Sequence, residues 1–118
     1  MDEVGEQLAG WGKVLRLETR GRVSGRPVEV ALGYVEDPDG SALVAAGSSQ
    51  ADWARNLDAD PTCQVSLGDE TWPDATAEPV SGADAQRAVR ELILKYGTPA
   101  ERLGLGPVYR LRPAAAAD

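Results

Sequence analysis

Apolar residues in this chain recur in short alternating runs, and that alternation decides what it can fold into. In residues 13–19 (KVLRLET) Leu15 and Leu17 share one face while Arg16 and Glu18 share the other, the period of two expected of a strand with one buried side. The pattern returns at 27–35 (PVEVALGYV), where Val28, Val30, Leu32 and Tyr34 fall together, and the acidic EDPDG at 36–40 is hairpin punctuation. Residues 41–47 (SALVAAG) are apolar on both faces, which predicts a strand central in the sheet. Further strands are expected at 62–67 (TCQVSL) and 70–78 (ETWPDATAE), joined by Gly68 and Asp69, with a last one at 107–112 (PVYRLR). Pro73 lacks a ladder donor and must lie at an edge or a bulge.

Two segments break the alternation. Ser49 and Asp52 stand at capping-box spacing ahead of WARNL, predicting a short helix from Gln50 to about Asp58. Ser81 and Asp84 repeat the spacing, and Ala85, Ala88, Val89, Leu92, Ile93 and Tyr96 follow as a helical stripe stopped by Gly97 and Pro99. About six strands and two helices joined mostly by short connections make a mainly β domain, a mostly antiparallel sheet expected to close as a barrel. One domain spans 1–118, with an N-terminal segment at 1–10 and a small-residue tail at 113–118 that has nothing to bury.

Composition removes whole classes of function. At 118 residues there is room for one core and one site. The chain has no histidine and one cysteine, Cys63, so histidine-based triads, zinc hydrolysis and internal disulfides are out. Cys63 alternates with Val65 and Leu67, which makes it a small buried hydrophobe rather than a nucleophile. A net charge of −7 disfavours nucleic acid and anionic membrane as partners. Met1, Asp2, Glu3 and Glu6 have the wrong sign for an export signal, and no apolar run approaches the roughly 18 residues of a membrane span. The expectation is a cytoplasmic protein.

Charge and glycine nevertheless gather in two places. Between residues 11 and 26 five basic residues (Lys13, Arg16, Arg20, Arg22, Arg26) meet one acid, Glu18, a local +4 in an acidic chain. Such a turn can seat a small anion, since arginine forks match phosphate oxygens and glycines admit backbone amides; equally, it can be a solvated, twisted hairpin. The second gathering, Gly47, Ser48, Ser49, Gln50, Ala51, Asp52 and Trp53, leads from a strand into a helix whose first amides can donate to an anion or a carbonyl-rich ring. The alternative is that Ser49 only caps while Trp53 and Leu57 form a core stripe. Tyr34 either lines a pocket or serves as a core aromatic. Trp11 and Trp72 either shield a ligand or fill volume in a domain without phenylalanine.

Read together, TRGRVSGRPVEVAL at 19–32 and GSSQADWARNLDADP at 47–61 resemble the deazaflavin-dependent nitroreductase family, a branch of the split-barrel flavin and deazaflavin oxidoreductases that also looks like the pyridoxamine-phosphate oxidase fold. The similarity covers about residues 15–80, and T-x-G-R-x-S-G-R paired with A-D-W-x-R-N-L is far more specific than either half. The resemblance implies a split β-barrel that binds coenzyme F420, a deazaflavin with a phosphate and an acidic tail, and passes hydride to quinones, nitro compounds or other small electrophilic acceptors. By position it implies that Arg20, Arg22, Ser24, Gly25 and Arg26 hold phosphate and tail. It further implies that Gly47, Ser48 and Ser49 meet the ring, that Trp53 and Asn56 fix that loop against the barrel, and that Tyr34 faces the acceptor. Tyr34 and Ser48 are the polar candidates for any proton transfer. Relatives carry basic residues where Val23 and Val28 stand, and a segment corresponding to 97–107 that covers the acceptor. FMN is the alternative cofactor and a non-catalytic cofactor-binding module the alternative role; related split barrels often pair through their sheets, so the resemblance admits a homodimer, while nothing in the sequence marks a self-complementary face.

Overall fold

The computed structural model describes residues 14–96 and 106–114. In chain order these form β1 (Leu15–Arg20), β2 (Pro27–Leu32), β3 (Val35–Glu36), β4 (Ala42–Ala45), α1 (Asp52–Ala59), β5 (Thr62–Leu67), β6 (Glu70–Val80), α2 (Gly82–Tyr96) and β7 (Val108–Arg112). Trp11, Lys13, the N-terminal segment, the helix stop at Gly97 and Pro99, the stretch 97–105 and the end of the tail lie outside the described residues. Every pairing is antiparallel and the strand order is β2-β1-β5-β6-β7-β4-β3. No helix among the described residues is long and apolar enough to cross a membrane.

The 11-residue β6 makes the sheet curl. Its first part pairs with β5 and its end, Thr76–Val80, pairs with β7, so the sheet wraps into a half-barrel. The register slips between Cys63 and Val65, where two residues, Pro73 and Asp74, stand against Gln64 alone. Pro73 therefore sits in a bulge, as its missing amide requires. Inside the curl Leu15, Leu17, Val44, Val65 and Leu111 pack against Trp53 and Leu57 of α1.

Three expectations need correction. Residues 27–35 are not one strand, because the ladder breaks after Leu32 and Val35–Glu36 pair instead with β4, giving seven strands. The break is held from outside the sheet. The Tyr96 hydroxyl accepts the Tyr34 amide at 3.0 Å, Lys95 Nζ donates to the Tyr34 carbonyl at 2.7 Å, and the Tyr96 ring lies so close that a Cβ on Gly33 would come within 2.9 Å of it. Next, β4 is buried on both faces but lies one place from the end of the sheet. Its second face, Leu43 and Ala45, is covered by Ala88 and Leu92 of α2; a helix supplies the burial expected from flanking strands. Finally, Ser49 and Asp52 form no capping box. The N-cap of α1 is Ala51, without a side-chain cap, while Ser48 Oγ accepts the Gln50 amide at 3.0 Å.

The β3–β4 turn is fastened to α2 and β7 by charge. Arg87 forks onto both oxygens of Asp37 at 3.0 and 3.2 Å, and Arg110 reaches the same carboxylate at 2.8 Å. The Arg87 hydrogen bond, with help from Arg110, lowers the Asp37 pKa, and hydrogen bonds from Ser41 bring Asp39 down to about 2. A carboxyl whose folded pKa lies below its unfolded value stabilises the fold fully above the unfolded pKa, and this contribution fades as pH falls through the folded one. Thermal unfolding followed by circular dichroism should thus show stability falling from about pH 4 toward pH 2. In the double variant Asp37→Asn, Asp39→Asn that slope should flatten; an unchanged slope would remove these carboxylates from the acid response.

Candidate functional site

The basic turn is closed on itself. Gly21 donates to the Arg26 carbonyl and accepts from the Gly25 amide, both at 2.8 Å, and Gly25 takes φ 74°, a conformation glycine adopts without strain. Ser24 Oγ accepts the Arg26 amide at 3.1 Å, so Ser24 and Gly25 shape the turn from within. Val23, at the tip, is 95% exposed.

One joint ties this turn to α1. Asn56 is 2% exposed and uses both ends of its amide. Its Nδ2 donates to Thr19 Oγ1 at 3.0 Å, and its Oδ1 accepts the Arg22 amide at 3.2 Å and the Arg22 guanidinium at 2.7 Å. The same guanidinium reaches the Asp52 carboxylate at 3.1 Å and the Asp52 carbonyl at 3.3 Å. The two gatherings noted in the sequence, some thirty residues apart, are therefore neighbours in space. Trp53 faces the core, edge-on to Tyr109 with ring centroids 5.8 Å apart, and the Tyr109 hydroxyl donates to Asp58 at 2.7 Å. Trp53 anchors α1 in the core by packing, and Asn56 ties the basic turn to β1 by hydrogen bonds.

Not every named residue converges. A cleft of about 390 Å³ opens beside the turn, walled by Glu18, Arg20 and Gly25 on one side and the Pro73–Ala75 bulge on the other, with no lining from residues 47–49. Cys63 lines it too, but burial pushes its thiol up to about 11, which keeps it protonated and inert. Tyr34 is 5% exposed among core residues, with Lys95 Nζ 3.9 Å above its ring. Burial raises its pKa, so the phenol stays neutral. Gly47, Ser48 and Ser49 form the exposed loop after β4, where Gly106 approaches the backbone of Ala46 and Ser48.

Three contributors escaped sequence reasoning. Thr19 carried a signal, a polar residue continuing the inward stripe of Leu15 and Leu17. Asp52 had the right type but was read as a cap. Gly106 gave no signal, because a close approach between segments 60 residues apart in sequence leaves no local pattern.

The donors fit an anionic cofactor. Arg20 is mostly exposed and meets Asp60 through one long contact of 3.8 Å, and among the described residues the Arg26 guanidinium has no acidic partner, so both have capacity for an external anion. Solved structures share this fold. A structure described as an F420-H2 dependent reductase (FDR-A) is 27% identical with a TM-score of 0.71, over 85% of this chain and 94% of that one. Another, described as a domain-swapped dimer, is 25% identical with a TM-score of 0.71, over 93% and 95%. The fold alone is shared with HutZ, a heme storage protein of Vibrio cholerae, at 22% identity and TM-score 0.74 over 94% and 88%. No curated protein sequence matches. The chain belongs to the F420H(2)-dependent quinone reductase family, whose model matches residues 1–102. It is an F420-dependent reductase acting on a small-molecule acceptor, with coenzyme F420 as cofactor.

Proposed function

We propose that this reductase delivers hydride to a quinone, with the F420 phosphate and tail held by Arg20 and Arg26 on the turn that Ser24 and Gly25 shape, and the ring met by the backbone of Gly47, Ser48 and Ser49. The observation that carries the residue assignment is the Arg22–Asn56–Asp52 joint, which sets the basic turn beside the start of α1. Reduced F420 supplies the hydride, so the protein contributes position, charge and exclusion of water. Ser48 is the proton-donor candidate on the ring loop. Tyr34, neutral and deep in the core, is the other proton-donor candidate, and its backbone is held by Lys95 and Tyr96. The family description supports a quinone over a nitro compound. A homodimer is supported by the domain-swapped relative and by β2, an edge strand of the described sheet.

Titrating F420 into the protein and following cofactor fluorescence tests the assignment. Arg26→Ala should lose about 1.5–3 kcal/mol of affinity, the usual range for a charge-assisted contact, and unchanged affinity would remove the turn from the site. Oxidation of F420H2 should run faster with quinones than with nitroaromatics; the reverse order would overturn the acceptor. Light scattering reads the dimer directly.

A further inference from the structure

We propose that Arg22 is a positioning residue: it holds the phosphate-binding turn at a set distance from the ring-binding loop and does not itself bind the phosphate. This rests on the reading above that both segments serve one ligand. The geometry of the side chain carries it. Arg22 lies in the basic cluster, yet its fork is turned inward, NH1 onto Asn56 Oδ1 and the Asp52 carbonyl, NH2 onto the Asp52 carboxylate. Its amide is fixed to the same Asn56 oxygen. Arg20 and Arg26 remain for an external anion.

Asp52 is the first residue of α1, and the five residues before it are the ring loop and its continuation. A single side chain thus couples the turn, the helix start and, through Asn56 and Thr19, strand β1. A ligand with a phosphate at one end and a ring at the other gains affinity when both seats are preset, because the second contact becomes intramolecular. Cutting the joint forfeits that gain while leaving each seat intact. Lysine cannot substitute, since a point charge cannot span Asn56 and Asp52 as a planar fork does.

The test compares Arg22→Ala, Arg22→Lys and Arg26→Ala, with Asp52→Asn as a milder cut that keeps an acceptor for Arg22 but removes the charge from one arm. Each is titrated with F420 and with the deazaflavin alcohol that lacks phosphate, at several salt concentrations, and assayed for F420H2 oxidation by a quinone. Arg22→Ala and Arg22→Lys should both weaken F420 about tenfold or more, leave the phosphate-free compound unaffected, and keep the parent's salt dependence. Arg26→Ala should flatten the salt dependence, because a charge meeting the phosphate is lost. Turnover separates the roles as well: the Arg22 variants lower kcat through ring misplacement, whereas Arg26→Ala raises KM for F420H2. Asp52→Asn should fall between parent and Arg22→Ala. The proposal is overturned if Arg22→Lys binds F420 like the parent while Arg22→Ala does not, or if Arg22→Ala flattens the salt dependence. A parent protein that binds no F420 would instead sink the functional reading itself.

Discussion

An Asn56→Ala variant should lose about 3 kcal/mol of unfolding free energy, since each buried polar group stripped of its partner costs about 1–3 kcal/mol. Thr19 Oγ1 is buried and bonded to Asn56 Nδ2, and the Arg22 amide and guanidinium both rely on Asn56 Oδ1. Truncation strips Thr19 Oγ1 and the Arg22 amide of their partner and leaves the guanidinium with Asp52 alone. Asn56→Asp separates this from cavity formation. It keeps an acceptor for Arg22 and offers its second oxygen to the Thr19 hydroxyl, so it should retain at least half of the lost stability. Urea unfolding of the three proteins provides the comparison. Equal losses for the two variants would mean that shape, not hydrogen bonding, holds the turn.

The same residues show what the sequence could and could not disclose. Strands and helices were legible because their causes are local: Leu15 and Leu17 alternate along β1, and the stripe from Ala85 to Tyr96 repeats along α2. The split between β2 and β3 was not, because Val28, Val30, Leu32 and Tyr34 alternate without interruption while the break is imposed by Lys95 and Tyr96, more than 60 positions away. The capping spacing misled for a related reason. Arg22 claims the Asp52 carboxylate, and Ser48, one residue earlier than expected, bonds the loop amide. At the site, residue types were readable and their division of labour was not. Nothing in R-G-R-V-S-G-R distinguishes an arginine facing outward from one turned in to fasten a helix.

Gly106→Ala is expected to be the most damaging single methyl. A Cβ there would lie 2.3 Å from the Ala46 carbonyl oxygen and 2.7 Å from the Ser48 amide nitrogen, distances no side chain tolerates. Both obstacles are backbone, so no rotamer change relieves them. Gly106 cannot withdraw easily either, because the next residue, Pro107, accepts the Ala46 amide at 2.9 Å and continues into the β4–β7 ladder. Either that bond breaks or the chain at 46–48 moves, and an overpacked interior of this kind costs about 1–3 kcal/mol or more. Residues 47–49 are those assigned to the deazaflavin ring, so F420 affinity should fall together with stability. Urea unfolding and F420 titration on the same preparation read the two effects separately. Loss of stability with F420 affinity intact would place the ring away from Gly47, Ser48 and Ser49, whereas loss of both, with hydrogen exchange quickened at 46–48, is the result this packing demands.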